Sequence, residues 1–374
     1  MNHDNTVDVP SRTEWIVSFG LAPYIDPPFS PGIGSSKTGF PGFFSFIGFR
    51  DNRLIHRQSS TSSLQSLNLS PTFSVVIPTH NRLGTLRMTI ESILGQDFPP
   101  SQFEVIVVND GSSDGTAEYL QNLSHLPHFA WLDQINSGAA RARNRGIEHA
   151  SGAFVAFTDD DCVVPSDWLS TLSDALGQGD VSAVGGRSVN MLPDNPYAAL
   201  YAETWEFFFE QLNRSRHEPL FLVTNNFACR RSVLTQLEGF DPGFYVGGED
   251  RELCARLRQE GKKIMYAPHI VIQHRHPFTF RSFLAHHVRM GEGSFLLHQR
   301  VAGQGILQSQ SISPGAFVEL LGRVSRKHHP MKGLQNLLLL GLAQSFVLLG
   351  YGFGALKSLL RKQTPRSQKS PSLS

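Results

Sequence analysis

Cysteine is scarce: only Cys162, Cys229 and Cys254 occur in 374 residues. They are too few and too scattered for a disulfide framework or a zinc site, so a reducing compartment is expected. Neither charge is in excess, with 33 Lys and Arg against 32 Asp and Glu and a formal net charge of +1. Nucleic-acid binding, which draws on a basic face, is therefore not expected. The first residues lack the pattern of a secretory leader. Asp4 and Asp8 stand where a positive region belongs, and Pro23, Pro27 and Pro28 break any apolar stretch. A Gly-x-Gly-x-x-Gly turn is also missing after the first strand-like run, which leads instead into Pro78-Thr-His-Asn81. That excludes the usual nicotinamide-dependent oxidoreductase. What is present is 40% hydrophobic residues, enough core for one large domain or two.

Residues 1–70 read as a separate extension. Pro27-Pro-Phe-Ser-Pro31, Gly39-Phe-Pro-Gly-Phe-Phe44 and Ser59-Ser-Thr-Ser-Ser63 follow neither a helical nor a strand period. Such Gly, Pro and Ser composition favours disorder or a loose extension. From Phe73 the pattern changes. Strands are expected near 73–77, 103–109, 130–133 and 154–158, with helices near 83–95, 114–123, 138–149 and 166–177. Ser113 or Asp114 is suited to cap the second helix, and Ser166 the fourth. Alternation at this spacing predicts βαβ units and a mostly parallel central sheet flanked by helices. Val181–Val189 adds a strand. Tyr197–Leu212, with Trp205 and Phe207–Phe209, reads as a helix that packs on the sheet or lines an acceptor groove. The sheet-bearing domain is placed at 71–300 and a helical region at 301–374. In the latter, 334–356 carries no charge and, as a helix of about 35 Å, matches a hydrocarbon core of about 30 Å. Basic residues flank it on both sides, so no positive-inside asymmetry emerges. A helix lying on, inserted in or spanning a membrane, or a buried core helix, all fit this pattern.

Acidic residues recur where apolar runs stop: Asp110 in Asn109-Asp-Gly-Ser-Ser-Asp114, then Asp159-Asp-Asp161, and much later Glu249-Asp250 after Gly247-Gly248. Strands that deliver carboxylates to one rim of an open sheet place them where α/β folds bind ligands. Asp110 is suited either to an ordinary Asp-Gly turn or to accepting hydrogen bonds from a base or ribose. Arg141, Arg143 and Arg145 follow Gly138 on one helix. They make a solvated basic face or a phosphate-binding one. In Asp159-Asp-Asp161, alternation would point Asp159 and Asp161 one way and Asp160 the other. Two hard oxygen ligands on one side suit Mg2+ or Mn2+ held together with substrate phosphates. Asp250 is a helix cap or a general base. His274, in Ile270-Val-Ile-Gln-His-Arg-His276, is a structural histidine or a metal ligand.

Taken together, Ser74-Val-Val-Ile-Pro-Thr-His-Asn81, Val108-Asn-Asp-Gly-Ser-Ser-Asp-Gly-Thr116, Gly138 with Ala142-Arg-Asn-Arg-Gly146, Phe157-Thr-Asp-Asp-Asp161, Gly239-Phe-Asp241 and Gly248-Glu-Asp-Arg-Glu-Leu253 resemble the family 2 glycosyltransferases. These are inverting enzymes with the GT-A fold. The resemblance runs from Phe73 to Leu297, about three-fifths of the chain. It implies a nucleotide-diphospho-sugar donor, a divalent metal (Mn2+ or Mg2+), and a glycan or lipid-linked acceptor. The donor-binding residues it implies are Pro78, Asn81, Asp110, Gly138, Arg143, Asp159 and Asp160. Asp161 and His274 would hold the metal, and Asp250 would be the catalytic base. Cys162 stands where many members have a fourth acidic residue. Synthesis of a cell-envelope or extracellular polysaccharide or glycolipid, at the cytoplasmic face of a membrane, is the expected setting. A scaffold that binds nucleotide-sugars with little transfer is the alternative. A nucleotidyltransferase would differ in releasing pyrophosphate rather than a nucleoside diphosphate.

Overall fold

The computed structural model describes residues 71–213, 215, 218–301, 314–326 and 330–363. The extension expected at 1–70 lies outside them. The four expected strands form as β1 (Phe73–Thr79), β2 (Phe103–Asp110), β3 (Phe129–Gln134) and β4 (Phe154–Phe157). They lie side by side in the order β3-β2-β1-β4, all parallel. Their β-branched runs are apolar on both faces because helices cover both. Val75, Ile77, Val105 and Val107 point to one core, shared with Leu86 and Ile90 of α1 (Leu83–Leu94), Leu120 of α2 (Thr116–Leu123) and Trp168 of α4 (Trp168–Leu176). Val76, Ile106 and Val108 point to the other, shared with Ala140, Ala142 and Ile147 of α3 (Ala139–His149). This is the period-two alternation of a strand.

Beyond β4 the sheet changes character. β5 (Cys162–Val163), β6 (Val181–Asn190), β7 (Phe227–Arg230) and β8 (Lys263–His274) complete the order β3-β2-β1-β4-β7-β6-β8-β5. β7 runs antiparallel to β4 and β6, and β5 antiparallel to β8, so four of the seven pairings are parallel.

The cap at Ser166 is corrected, and that at Asp114 is shared between two helices. The residue before α2 is Gly115, and Asp114 Oδ2 accepts the first amide of α1, Leu83 N, at 2.9 Å. The residue before α4 is Asp167, while the Ser166 hydroxyl donates to Asp97 Oδ2 at 2.6 Å. Asp114 Oδ1 still accepts from Thr116 N at 3.3 Å and from its hydroxyl at 2.6 Å at the start of α2, so Asp114 serves both helices, whereas Ser166 is taken up by its tertiary partner.

The remaining helices are α5 (Pro196–Leu212), α6 (Arg231–Gln236), α7 (Glu249–Gln259), α8 (Phe280–Val301), α9 (Pro314–Arg326) and α10 (Pro330–Gln363). α5 serves both expected ends: Phe209 joins the core of the sheet, and Tyr201 and Trp205 line a cleft. α10 is 34 residues long, about 51 Å. It lies along α8 at Gly291 and Gly350, where a Cβ would collide with the backbone carbonyls of Val347 and Val288 respectively. Leu340, Ala343 and Val347 of α10 are buried, whereas Leu334, Leu338, Leu348, Leu349, Phe353 and Leu356 are exposed. The uncharged stretch thus has one packed face and one bare apolar face.

Candidate active site

The parallel strands end in loops that are tied to one another. Asp110 is buried at the end of β2. Its Oδ1 accepts from Gln134 Nε2 at 2.7 Å and Ser137 N at 2.8 Å, and its Oδ2 accepts from Gly138 N at 2.9 Å. The Asp110 carboxylate therefore anchors the turn into α3. Asn81 takes a left-handed backbone with φ of 53°, a conformation asparagine tolerates. Its Oδ1 accepts from Ser113 N at 2.7 Å and its own N–H donates to the Ser112 hydroxyl at 2.9 Å. Pro78, Asn81, Asp110 and Gly138 thus gather at the ends of β1 and β2, while the main cleft is lined by other residues.

Asp159-Asp-Asp161 does not continue β4 as a strand. The chain turns there, with Cys162 N donating to Asp159 O at 3.2 Å. Asp159 has its own cation, whereas Asp160 and Asp161 share one. Asp159 accepts from Arg143 Nη2 at 2.7 Å. Asp160 accepts from the Thr79 hydroxyl at 2.8 Å and from Arg82 Nη1 at 3.0 Å. Arg82 Nη1 also donates to Asp161 Oδ2 at 2.7 Å. Burial and the neighbouring Asp161 push Asp160 up to about 6. Burial would raise Asp161 too, but His274 and Arg82 outweigh it and hold Asp161 at about 2. Asp159 and Asp161 line the cleft, and Asp160 lies beneath them. Arg143 is buried, and its second Nη donates to Glu249 Oε1 at 2.7 Å. Both of its forks therefore go to protein carboxylates, leaving Nε as its unpartnered donor. Arg143 acts by joining Asp159 to the start of α7.

The pair expected to hold a metal, Asp161 and His274, does come together, and His276 joins it. β5 pairs with β8 in the register Cys162↔His274, and Arg275 N donates to Asp161 O at 2.9 Å. This two-residue ladder sets His274 Nε2 2.9 Å from Asp161 Oδ1. His276 follows one alternation later, and ligand atoms of Asp161, His274 and His276 all lie within 4.8 Å of one another. Burial, then His274, holds His276 at about 3, so its imidazole is neutral and able to ligate. Burial also lowers His274, but Asp161 outweighs it and raises the ring, which must give up that proton to ligate. Asn225 Nδ2 lies 2.9 Å from His274 Nδ1 and its Oδ1 accepts from Ser188, fixing the ring from behind. Asp161 Oδ1 is buried without a well-aligned hydrogen-bond donor. One buried carboxylate oxygen, with the His274 ring 2.9 Å away, and a second converging imidazole fit a divalent cation. The sequence signal for His276 is its i, i+2 spacing from His274. Cys162, the departure from the acidic pattern, is fully buried in the core and carries β5.

Across the cleft, Gly247 and Gly248 adopt φ of 123° and 97°, which glycine alone takes without strain. This sharp entry starts α7 with Glu249 and Asp250 facing the same cavity as Asp161. Asp250 Oδ1 accepts from Arg251 N at 2.8 Å. Burial, then the adjacent Glu249, pushes Asp250 up to about 6. The cleft has a volume of about 990 Å³. Tyr201 and Trp205 of α5, Phe278, and His286 and Arg289 of α8 complete its wall. Arg82, His276 and Arg289 are charged or ligating residues of this cavity to which sequence reasoning gave no role. Arg82 directly follows the Pro78–Asn81 motif. Nothing local marks Arg289.

The family model described as Glycosyl transferase family 2 matches residues 74–237. Glycosyltransferase AglE of Haloferax volcanii is 30% identical over 226 residues, covering 60% of this chain and 73% of that protein. A pre-mycofactocin glycosyltransferase of Mycobacterium tuberculosis is 29% identical over 228 residues, covering 57% of this chain and 44% of the relative. The solved mannosyltransferase PcManGT from Pyrobaculum calidifontis, in complex with GDP-Man and Mn2+, aligns with a TM-score of 0.49 at 22% identity. That alignment covers 79% of this chain and 82% of the other.

Proposed function

The chain belongs to glycosyl transferase family 2, and on that premise we propose that it transfers a sugar from a nucleotide-diphospho-sugar to an acceptor hydroxyl with inversion at the anomeric carbon. The observation that carries this reading is the pairing, within one cleft, of the Asp161–His274–His276 group with a carboxylate raised to about 6 at Asp250. Asp250 is the proposed base. A carboxylate at about 6 is mostly ionised at neutral pH, yet is a stronger base than an ordinary one. It takes the proton of the acceptor hydroxyl while that oxygen forms its bond to the anomeric carbon. The bond from that carbon to the diphosphate breaks on the opposite face, and a nucleoside diphosphate leaves.

Asp161, His274 and His276 are the proposed ligands of a divalent cation, and two imidazoles with one carboxylate favour Mn2+ over Mg2+. Such an ion, when bound, neutralises charge on the leaving diphosphate. Asp159 is suited to a ribose hydroxyl. Asp110, Asn81, Pro78 and Gly138 shape the base end of the donor site through the loops they fix. Arg143 and Asp160 support this site from beneath.

The acceptor is proposed to be a glycan or lipid-linked glycan in polysaccharide or glycolipid synthesis. The bare apolar face of α10 supports attachment to a membrane surface, and three buried free thiols suit its cytoplasmic side. The test is a thermal-shift panel of nucleotide-sugars with Mn2+, Mg2+ or EDTA, run beside Asp161→Ala. A ligand at 100 times its Kd adds about 2.7 kcal/mol, which is readily seen. Metal-dependent stabilisation by one donor, lost in Asp161→Ala, is the expected result. No shift with any donor from folded protein would overturn the reading.

A further inference from the structure

Arg82 holds an unusual place among the charges of the cleft. Its Nη1 bridges Asp160 Oδ1 at 3.0 Å and Asp161 Oδ2 at 2.7 Å. Those carboxylates are 6% and 7% exposed, whereas the Arg82 side chain is 53% exposed and lines the cavity. A guanidinium cannot discharge by losing a proton. Asp161 is thus shared: Oδ2 serves Arg82, and Oδ1 faces His274. The same cavity receives Arg289 from α8, which has no hydrogen bond or ion pair among the described residues and feels the repulsion of Arg82. A dication at Asp161, His274 and His276 would add a third positive centre beside these two. An anion of more than one charge entering with the dication would offset this positive charge, and Arg82, with its side chain half exposed, can turn towards it.

We propose that Arg82 is an exchangeable counter-ion. It neutralises Asp160 and Asp161 in the empty cleft and passes its guanidinium to the diphosphate when a divalent cation and a nucleoside diphosphate enter together. The inference rests on the donor reading above, in particular on Asp161, His274 and His276 holding the cation. It has a thermodynamic signature. A cation arriving alone competes with Arg82 for the charge of Asp161. A diphosphate draws Arg82 away and so tightens the cation, and by reciprocity the cation tightens the diphosphate to the same degree.

The experiment measures Mn2+ binding to the full chain by electron paramagnetic resonance, alone and with saturating UDP or GDP. Wild type, Arg82→Gln and Arg82→Lys are compared, with Asp161→Ala as the blank. In wild type the effective nucleotide is expected to tighten Mn2+ by about 10-fold, within the usual range of coupling between two sites. Arg82→Gln is expected to bind Mn2+ alone more tightly than wild type by about 5-fold and to lose most of that coupling. Arg82→Lys keeps the charge and is expected to keep the coupling. Opposite signs for cation and nucleotide are an outcome that a merely structural role for Arg82 would not produce. Wild type that binds Mn2+ and nucleotide without coupling overturns the proposal. So does Arg82→Gln that binds Mn2+ alone no tighter than wild type, and in both cases the donor reading stands. Wild type that binds neither overturns both.

Discussion

The two halves of the sheet contribute differently to the cleft. From the parallel half come fixed charges that are already spent: Asp110 on the turn into α3, Asp160 on Thr79 and Arg82, and Arg143 on Asp159 and Glu249. From the mixed half and the helices after it come groups with capacity left. These are the neutral His276, Asp250 with a single backbone donor, and Arg289 without an ion pair among the described residues. The difference teaches that Asp110, Asp160 and Arg143 of the parallel half hold the site in shape, while the proposed base Asp250 and two of the three proposed metal ligands, His274 and His276, are reached only after the chain reverses through β7.

The sharpest way to break that comparison is at Asp250. Asp250→Asn should lower turnover by about 10²–10⁴-fold, the usual value of general-base help, with donor affinity retained. Transfer at the wild-type rate would remove Asp250 from its proposed role. In the wild type, kcat/KM should be level above about pH 7, halve near 6 and approach a tenfold fall per pH unit below about 5, as the carboxylate held at about 6 takes up its proton. A next step tests the support behind the imidazoles. Asn225→Ala leaves every proposed ligand in place but frees the His274 ring, and should weaken Mn2+ binding by about 10–100-fold, as loss of outer-shell partners does. Unchanged Mn2+ affinity would show that Asn225 does not orient His274.

A milder contrast concerns α10. Replacing Leu338, Leu349 and Phe353 by Glu on its bare face should abolish co-sedimentation with anionic lipid vesicles. Transfer to a soluble acceptor should persist, since the buried Leu340, Ala343 and Val347 are untouched. Vesicle binding equal to wild type would rule out that face as the attachment site. The smallest effect is on stability. The folded-state pKa of Asp250 is raised to about 6 from 3.8. Folding therefore loses stability as pH rises from about 4 to 6, because the unfolded chain ionises first. Asp250→Asn should accordingly raise Tm by a few degrees at pH 7 and leave it unchanged near pH 3, as calorimetry would show.

The same division explains what could be read from the sequence. β1 to β4 and the helices between them follow from apolar runs of one period and nearby turn residues, and their positions emerge to within a few residues. The acids at 110, 159–161 and 250 were visible because carboxylates at the ends of apolar runs are conspicuous. Hidden was the pairing of Asp161 with His276, which depends on β5, a strand of two residues with no periodicity to detect. Equally hidden was the destination of each charge. That Arg143 spends both forks on Asp159 and Glu249 depends on where α7 begins, 106 residues later. The cap at Ser166 failed for the same reason, and the second duty of Asp114 was hidden likewise, since local rules cannot see a partner such as Asp97 or Leu83 N.

The close fit of α8 and α10 at Gly291 and Gly350 has a consequence for reach. On one side α8 offers Arg289, Gly293 and Leu297 to the cleft, and on the other it meets α10 within the same turns. Nothing longer than a helix diameter, about 10 Å, separates the cavity wall from the outer helix. Among the described residues, α10 is joined to the cleft wall by direct packing on α8. Were α10 to rest on a surface, this packing would keep the cleft within reach of hydroxyls presented close to it.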